Sequence, residues 1–156
     1  MLILLLIQQF LTIHIFCSGS MLYKKVSDYV TLQGRKIGKG LFSHAPISEG
    51  CVIGFYTGTD VSKEEYRRRC NANLGGYGIR MSKTITKDCR IHFCKGHCLV
   101  SAANSAFNLK SAITGELVKD NNARLIVFKG SAYLKATRDI KANEEILISY
   151  SSSYWH

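Results

Sequence analysis

The pattern of apolar and polar positions divides the chain near residue 20. Residues 1–16, MLILLLIQQFLTIHIF, hold twelve apolar side chains and no charge. From Met21 onward the apolar runs are short and are cut by glycine or by charge. YVTLQ at 29–33 has the β-branched and aromatic content of a strand. GRKIGKG at 34–40 places three glycines in seven residues, which predicts a loop where backbone can approach a ligand closely. CVIGFYTG at 51–58 predicts a short strand bounded by glycine. The helix signal is clearest at KEEYRRRCNA, 63–72: Ser62 can cap it, and Glu65, three residues on, completes a capping box. Acids lead and arginines trail, as the helix dipole favours, and Arg67–Arg69 read as a solvated helix end. LGGYGIRM at 74–81 and TITKDCRIHF at 84–93 predict short strands, RLIVF-KGS-AYLKAT a hairpin turning at Gly130, and EEILISY at 144–150 a closing strand. Many short strands and few helices describe a mostly β chain folded as one domain over 21–156.

The leader, 1–20, stands outside that domain. Its apolar run is shorter than the roughly 20 residues needed to span a bilayer, and the small residues of CSG at 17–19 resemble a signal-peptidase site. It has no basic n-region, and Met21 opens the charged part of the chain. Two readings follow: a signal peptide, or a gene-model artefact ahead of a true start at Met21. With the leader set aside, no membrane association is expected. Localisation is expected to be nuclear or cytoplasmic, with the secretory pathway as the alternative if 1–20 is a true signal.

Charge adds a partner class. Lys and Arg outnumber Asp and Glu by 21 to 11, a net +10, which suits an acidic partner such as nucleic acid or a nucleosome and also simply keeps a small protein soluble. The six cysteines are Cys17, Cys51, Cys70, Cys89, Cys94 and Cys98; five remain without the leader, and an odd, irregular set argues against a disulfide framework. CRIHFCKGHC gathers Cys89, His92, Cys94, His97 and Cys98, the right ligand types for zinc at a spacing that matches no standard finger. The expectation is no metal, with these five as the zinc alternative. No G-x-S-x-G, P-loop or H-E-x-x-H motif occurs.

The order of the remaining pieces is more informative. Gly38-Lys39-Gly40-Leu41-Phe42 is followed by GFYTG at 54–58, SAANSA at 101–106, NNA at 121–123 and LKATRDIKANEEILISY at 134–150. Over about 36–155 this series resembles the SET-domain protein lysine methyltransferases. The last segment carries most of the likeness. The family pattern there is roughly A-x-R/K-D-I-x-x-G-E-E-L-x-x-x-Y-G-x-x-Y/W, and Ala136, Arg138, Asp139, Ile140, Glu144, Glu145 and Tyr150 match it.

The resemblance implies a SET-type (β-clip) fold: several small sheets, few short helices, and a C-terminal pseudoknot in which the last strand threads beneath the Asn104 segment. It implies methyl transfer from S-adenosylmethionine to a neutral lysine amine, a reaction that needs alignment more than a metal. Gly38, Lys39, Gly40, Phe42, Asn104, Tyr150 and Trp155 would contact the cofactor. Tyr150 and Tyr56 would be catalytic. Tyr56, Ile148 and Tyr154 would wall the substrate channel, and Asn104 and Asn122 would hold the pseudoknot. The expected substrate is a histone or other basic protein tail. Ile148 stands where the family often has Tyr or Phe, and an apolar residue there implies that methylation does not stop at one methyl group.

The sequence departs from the family in several places. The family's R-F-x-N-H-S is here Ser101-Ala102-Ala103-Asn104-Ser105, without the arginine and the histidine. Seventeen residues separate Asn104 from Asn122, and Asn108 is a rival for the second asparagine; Asn122 is preferred because ARLIVFKGSAYLKAT then follows at the family's spacing. Asn143 replaces the usual glycine and can keep its turn, since Asn tolerates positive φ. The cysteine-rich post-SET segment is absent. The missing arginine and histidine leave a second reading, a SET-like protein- or peptide-binding module without catalysis, and the leader and basic surface leave a third, a secreted cysteine-containing domain.

Overall fold

The structure is a computed structural model that describes residues 21–90 and 98–150. Most of its regular structure is strand: β1 (Leu22–Val26), β2 (Tyr29–Thr31), β3 (Lys39–Ser43), β4 (Val52–Phe55), β5 (Thr59–Ser62), helix α1 (Lys63–Asn71), β6 (Gly78–Arg80), β7 (Ile85–Asp88), a single 3-10 turn (Leu99–Ala102), β8 (Leu109–Ser111), β9 (Ala123–Phe128), β10 (Ser131–Ala136) and β11 (Glu145–Ile146). These form four small antiparallel sheets, ordered β1-β3-β11, β4-β10-β9, β2-β8 and β5-β7-β6. No helix among the described residues is long and apolar enough to cross a membrane.

The β9–β10 hairpin forms as the sequence predicts. Phe128 pairs with Ser131, and Lys129 and Gly130 take φ of 46° and 76°, the doubly left-handed two-residue turn that matches strand twist. Helix α1 also starts where predicted, the Glu65 amide donating to Ser62 Oγ at 3.1 Å. The box is half made, however. The Glu65 carboxylate turns to Arg68 and Arg69, and Arg69 reaches on to Asp88 of β7 at 2.8 Å. Arg69 is therefore a clamp between helix and sheet, whereas the sequence suggested a solvated end for all three arginines.

Four strands, β1, β3, β5 and β8, have no counterpart in the sequence reading. β1 carries Lys24 and Lys25 in its middle, and β3 begins inside the glycine-rich stretch taken as loop. Glycine and lysine are poor strand formers, but β3 lies between two partners and its Leu41 and Phe42 are fully buried. Leu41 belongs to the main core with Ile47, Ile53, Leu134, Ile140 and Ile146. Phe42 points to the opposite face, stacked against Tyr23 with the Lys25 ammonium 4.4 Å from its ring centre.

The closing strand is shorter than predicted. After Asn143, held at φ 62°, only Glu145 and Ile146 pair with β3. The next residues instead bond to two separate parts of the chain. Leu147 bridges Asn104, and the Ile148 amide donates to the Asn104 carbonyl at 2.8 Å. The Leu147 amide donates to Asn122 Oδ1 at 2.8 Å, and the Leu147 carbonyl accepts from the Asn122 and Ala123 amides. Both ends of the 104–122 segment thus close on residues 145–148, which is the pseudoknot.

Candidate functional site

The pseudoknot is assembled around two buried side chains. Asn122 is 1% exposed, and its Nδ2 donates to the Glu145 carbonyl at 2.8 Å and to Glu144 Oε1 at 3.1 Å. Asn108, the rival position, sits in a left-handed turn (φ 57°) and its carbonyl accepts from Leu32. Glu145 is 2% exposed and turns its carboxylate away from the main core, where it accepts from Ser27 Oγ (2.7 Å), the Asp28 amide (3.2 Å) and Asn104 Nδ2 (2.9 Å). Burial pushes the Glu145 carboxyl above its ordinary range, partly offset by these donors. Glu144 behaves oppositely. Burial would raise it, but hydrogen bonds from Arg138, the Lys141 amide and Asn122 outweigh that and hold it low.

Glu145 also explains one glycine. A Cβ on Gly40 would fall 2.1 Å from Glu145 Oε1, so residue 40 must be glycine to leave room for the carboxylate. Gly38 differs: its φ is 90° and nothing lies within 4 Å of where its Cβ would be. Asn104 ties the two parts together, its Nδ2 donating to the Lys39 carbonyl (3.3 Å) as well as to Glu145. The side-chain amide of Asn104 is thus engaged with its own chain. Ser27 and Glu145 are site-building residues that sequence reasoning did not assign. The usable signal was the match of Glu145 to the family pattern, but nothing in the sequence connects it to Gly40 or Ser27.

Beyond the knot the chain delivers Tyr150, whose hydroxyl donates to the Ala103 carbonyl at 2.7 Å. Tyr150 packs on the core cluster that contains Tyr56, Ile148 and Cys98. Tyr56 follows β4, is 7% exposed, and its hydroxyl is pushed up first by burial and then by Tyr150, Cys98 and Cys89, so it remains a neutral phenol. Tyr56, Ile148 and Tyr150 therefore share one site although they lie on two distant segments. The Gly38–Gly40 stretch, which leads into β3 and Phe42, is joined to that site through the Asn104 bond to the Lys39 carbonyl. Tyr154 and Trp155 fall outside the described residues.

Beneath Tyr56 lie Cys89 and Cys98, both buried. The Cys89 thiol donates to the Lys87 carbonyl at 3.8 Å, and the interaction between the two thiols pushes Cys98 down and, together with burial, Cys89 up. His92, Cys94 and His97, the other members of the zinc alternative, fall outside the described residues. Among the described residues no three His, Cys, Asp or Glu side chains gather as a metal site.

A cleft of about 500 Å³ opens beside Tyr150, bounded by Ser105, Phe107, Asn108, Lys119, Asn121 and Tyr150 among others. The SET domain family model matches residues 38–151, the span that contains the knot, Tyr56 and Tyr150. The chain belongs to the SET-domain family. That family comprises protein lysine methyltransferases, and the several small sheets of this chain are consistent with a SET-type fold. Among solved structures, this SET domain is similar to a humanized mutant of the Chaetomium thermophilum Polycomb Repressive Complex 2 bound to the inhibitor GSK126 (24% identity, TM-score 0.53). It is similar also to the same complex bound to GSK343 (23% identity, TM-score 0.52). In each case the match covers 73% of this chain and 13% of the other, and at this identity the likeness is one of fold. No curated protein matches the chain.

Proposed function

We propose that this SET domain is an S-adenosylmethionine-dependent lysine methyltransferase acting on a basic protein tail such as a histone, in the nucleus or cytoplasm. The observation that carries the reading is the placement of Tyr150 by the pseudoknot next to the buried Tyr56 and Ile148. Tyr150 commits its hydroxyl proton to the Ala103 carbonyl. A phenol oxygen can also accept an N–H from a substrate amine and orient the nitrogen. Tyr56 is a neutral, water-poor wall for the aliphatic stem of a lysine. A lysine amine normally has pKa ~10.4, and desolvation between such walls favours its neutral, nucleophilic form. Ile148, 4% exposed, offers no hydrogen bond to the amine, so the amine can rotate for further methylation.

The residues present fit the cofactor. The cleft beside Tyr150 has the size of an ordinary small-molecule site, and the open side of Gly38 lets backbone approach a ligand. Of the residues that the resemblance assigns to the cofactor, Gly38, Lys39 and Tyr150 would hold it; Phe42 is fully buried, Gly40 is packed against Glu145, the Asn104 amide is engaged with Lys39 and Glu145, and Trp155 lies outside the described residues. Bound there, it would supply an electrophilic methyl group on a sulfonium.

The test is transfer of radiolabelled methyl to mixed histones, with calorimetric titration of S-adenosylmethionine. Wild-type protein is expected to bind and transfer, and Tyr150→Phe to bind with activity reduced at least about a hundredfold, the scale of losing one preorganised polar group. A second reading, a SET-like module that binds a protein tail without catalysis, is favoured by the engagement of the Asn104 amide with Lys39 and Glu145 and by Ser105 in place of histidine. No cofactor binding together with retained tail binding would establish that reading instead.

A further inference from the structure

Among the described residues β9 is the longest strand at the edge of a sheet, six residues with no proline and no bulge in its pairing with β10. The Lys129-Gly130 turn fixes which of its backbone groups are used. Phe128 and Ser131 close the hairpin, so the amides and carbonyls of Arg124, Ile126 and Phe128 face β10, and those of Leu125 and Val127 face away from it. No described residue of another element bonds to the Leu125 or Val127 backbone. Open edges are usually blunted by charge, proline or a bulge, because they can pair with a further strand. β9 carries one charge, Arg124 near its start, whereas Val127 is 38% and Phe128 58% exposed.

The two ends of this edge set the register of a partner strand. At one end the Ala123 amide is taken by the Leu147 carbonyl, and at the other Lys129 leaves strand geometry at φ 46°. Leu125 and Val127 therefore supply the bonds, and β9 of a second copy matches them. With Ile126 on the twofold axis, Leu125 lies opposite Val127 of the second copy, and each such pair exchanges both its N–H···O bonds. Arg124, Ile126 and Phe128 share the outer face by alternation. There Arg124 falls opposite Phe128 of the second copy, a cation against an aromatic ring. Ile126 meets its own counterpart and extends an apolar row, since Ile126 pairs with Tyr133 and Tyr133 with Phe55, the two rings 5.4 Å apart. On the core face, Leu125 of the second copy comes beside Val127, which with Met81, Lys63, Arg80 and Lys83 lines a cleft of about 560 Å³, room enough for that side chain. A basic tail laid along this edge would gain less, because β4, β9 and β10 contain Arg124 and Lys135 and no acidic residue.

We propose that β9 is a homodimerisation edge: two copies of the chain pair antiparallel about Ile126 and join their β4-β10-β9 sheets into one. The inference does not depend on methyltransferase activity.

The experiment is sedimentation-velocity ultracentrifugation of the whole chain from about 1 to about 100 μM, at low and high KCl. A monomer–dimer equilibrium is expected in that range, the strength of a small interface. Each copy carries a net +10, so the dimer should hold or strengthen as KCl rises. A dimer that dissolves with salt would be bridged by an acidic ligand, and the proposal would fall. Val127→Pro removes an amide that faces away from β10, so the fold should survive. Both copies lose that donor, and dimerisation should weaken at least about tenfold. Ile126→Lys sets two ammonium groups against each other on the axis and should weaken it at least about fivefold. Ile113→Lys, which replaces a 91% exposed apolar side chain away from β9, should stay within about twofold of wild type. The proposal is overturned if the chain is monomeric at about 100 μM, if both β9 variants leave a dimer intact, or if Ile113→Lys weakens it as much. Should the β9 variants fail to fold, hydrogen exchange of the wild-type chain decides. The Leu125 and Val127 amides should exchange at least about tenfold more slowly at the high protein concentration than at the low one, and rates that do not change with concentration would overturn the pairing.

Discussion

Replacing Asn122 with alanine examines the pseudoknot directly. The side chain is 1% exposed and makes three hydrogen bonds: from Nδ2 to the Glu145 carbonyl and to Glu144 Oε1, and from the Leu147 amide to Oδ1. Two of these partners are backbone groups in a buried stretch that water does not reach. Truncation leaves the Leu147 amide without its partner and strips the side-chain bond from the Glu145 carbonyl, each costing about 1–3 kcal/mol. The Glu144 bond adds little, because Arg138 Nη2 and the Lys141 amide still hold that carboxylate. The expected total is about 2–6 kcal/mol. At roughly 3 °C per kcal/mol for a domain of this size, the midpoint falls about 6–18 °C in a thermal melt followed by circular dichroism. Asn108→Gly is the comparison. Its side chain makes no hydrogen bond to a described residue and its φ of 57° suits glycine, so it should change stability by no more than about 0.5 kcal/mol. If Asn122→Ala costs less than about 1 kcal/mol, or no more than Asn108→Gly, the knot is not held as the structure describes.

Gly40→Ala forces a methyl group onto the Glu145 carboxylate and should cost about 2–4 kcal/mol by urea unfolding, as that group leaves its donors. Gly38→Ala, with open space but positive φ, should cost only about 1–2 kcal/mol. Glu145 and Glu144 give opposite pH signatures. The Glu145 folded pKa is raised, so the unfolded chain ionises first and stability falls as pH rises from the ordinary glutamate value, ~4.3, through the folded value. Glu145→Gln should remove that fall while leaving the loss of stability below the ordinary glutamate value, which arises from the lowered Glu144 and Glu65; an unchanged pH profile in the variant would contradict the assignment. Ser62→Ala should cost about 1 kcal/mol and raise amide exchange in the first turn of α1, because the Glu65 amide loses its acceptor.

What the sequence determined by itself was local. Lys129-Gly130 specified the hairpin turn, Ser62 the helix start, and Asn143 a left-handed turn, because each depends on backbone geometry within a few residues. The family was legible too, since its motifs recur in order over most of the chain. Tertiary structure decided the rest. β3 is a strand because it is covered on both edges, although its own residues read as loop. The strand predicted to run to Tyr150 stops after Ile146 because Asn104 and Asn122, 18 positions apart, claim the backbone groups of Leu147 and Ile148. The requirement for glycine at 40 comes from a carboxylate at 145, and the meeting of Lys63, Arg80 and Lys83 comes from the packing of a helix start against a turn. Such pairings bring together residues far apart in the chain, and their energy comes from burial and close approach, neither of which exists until the sheets have assembled.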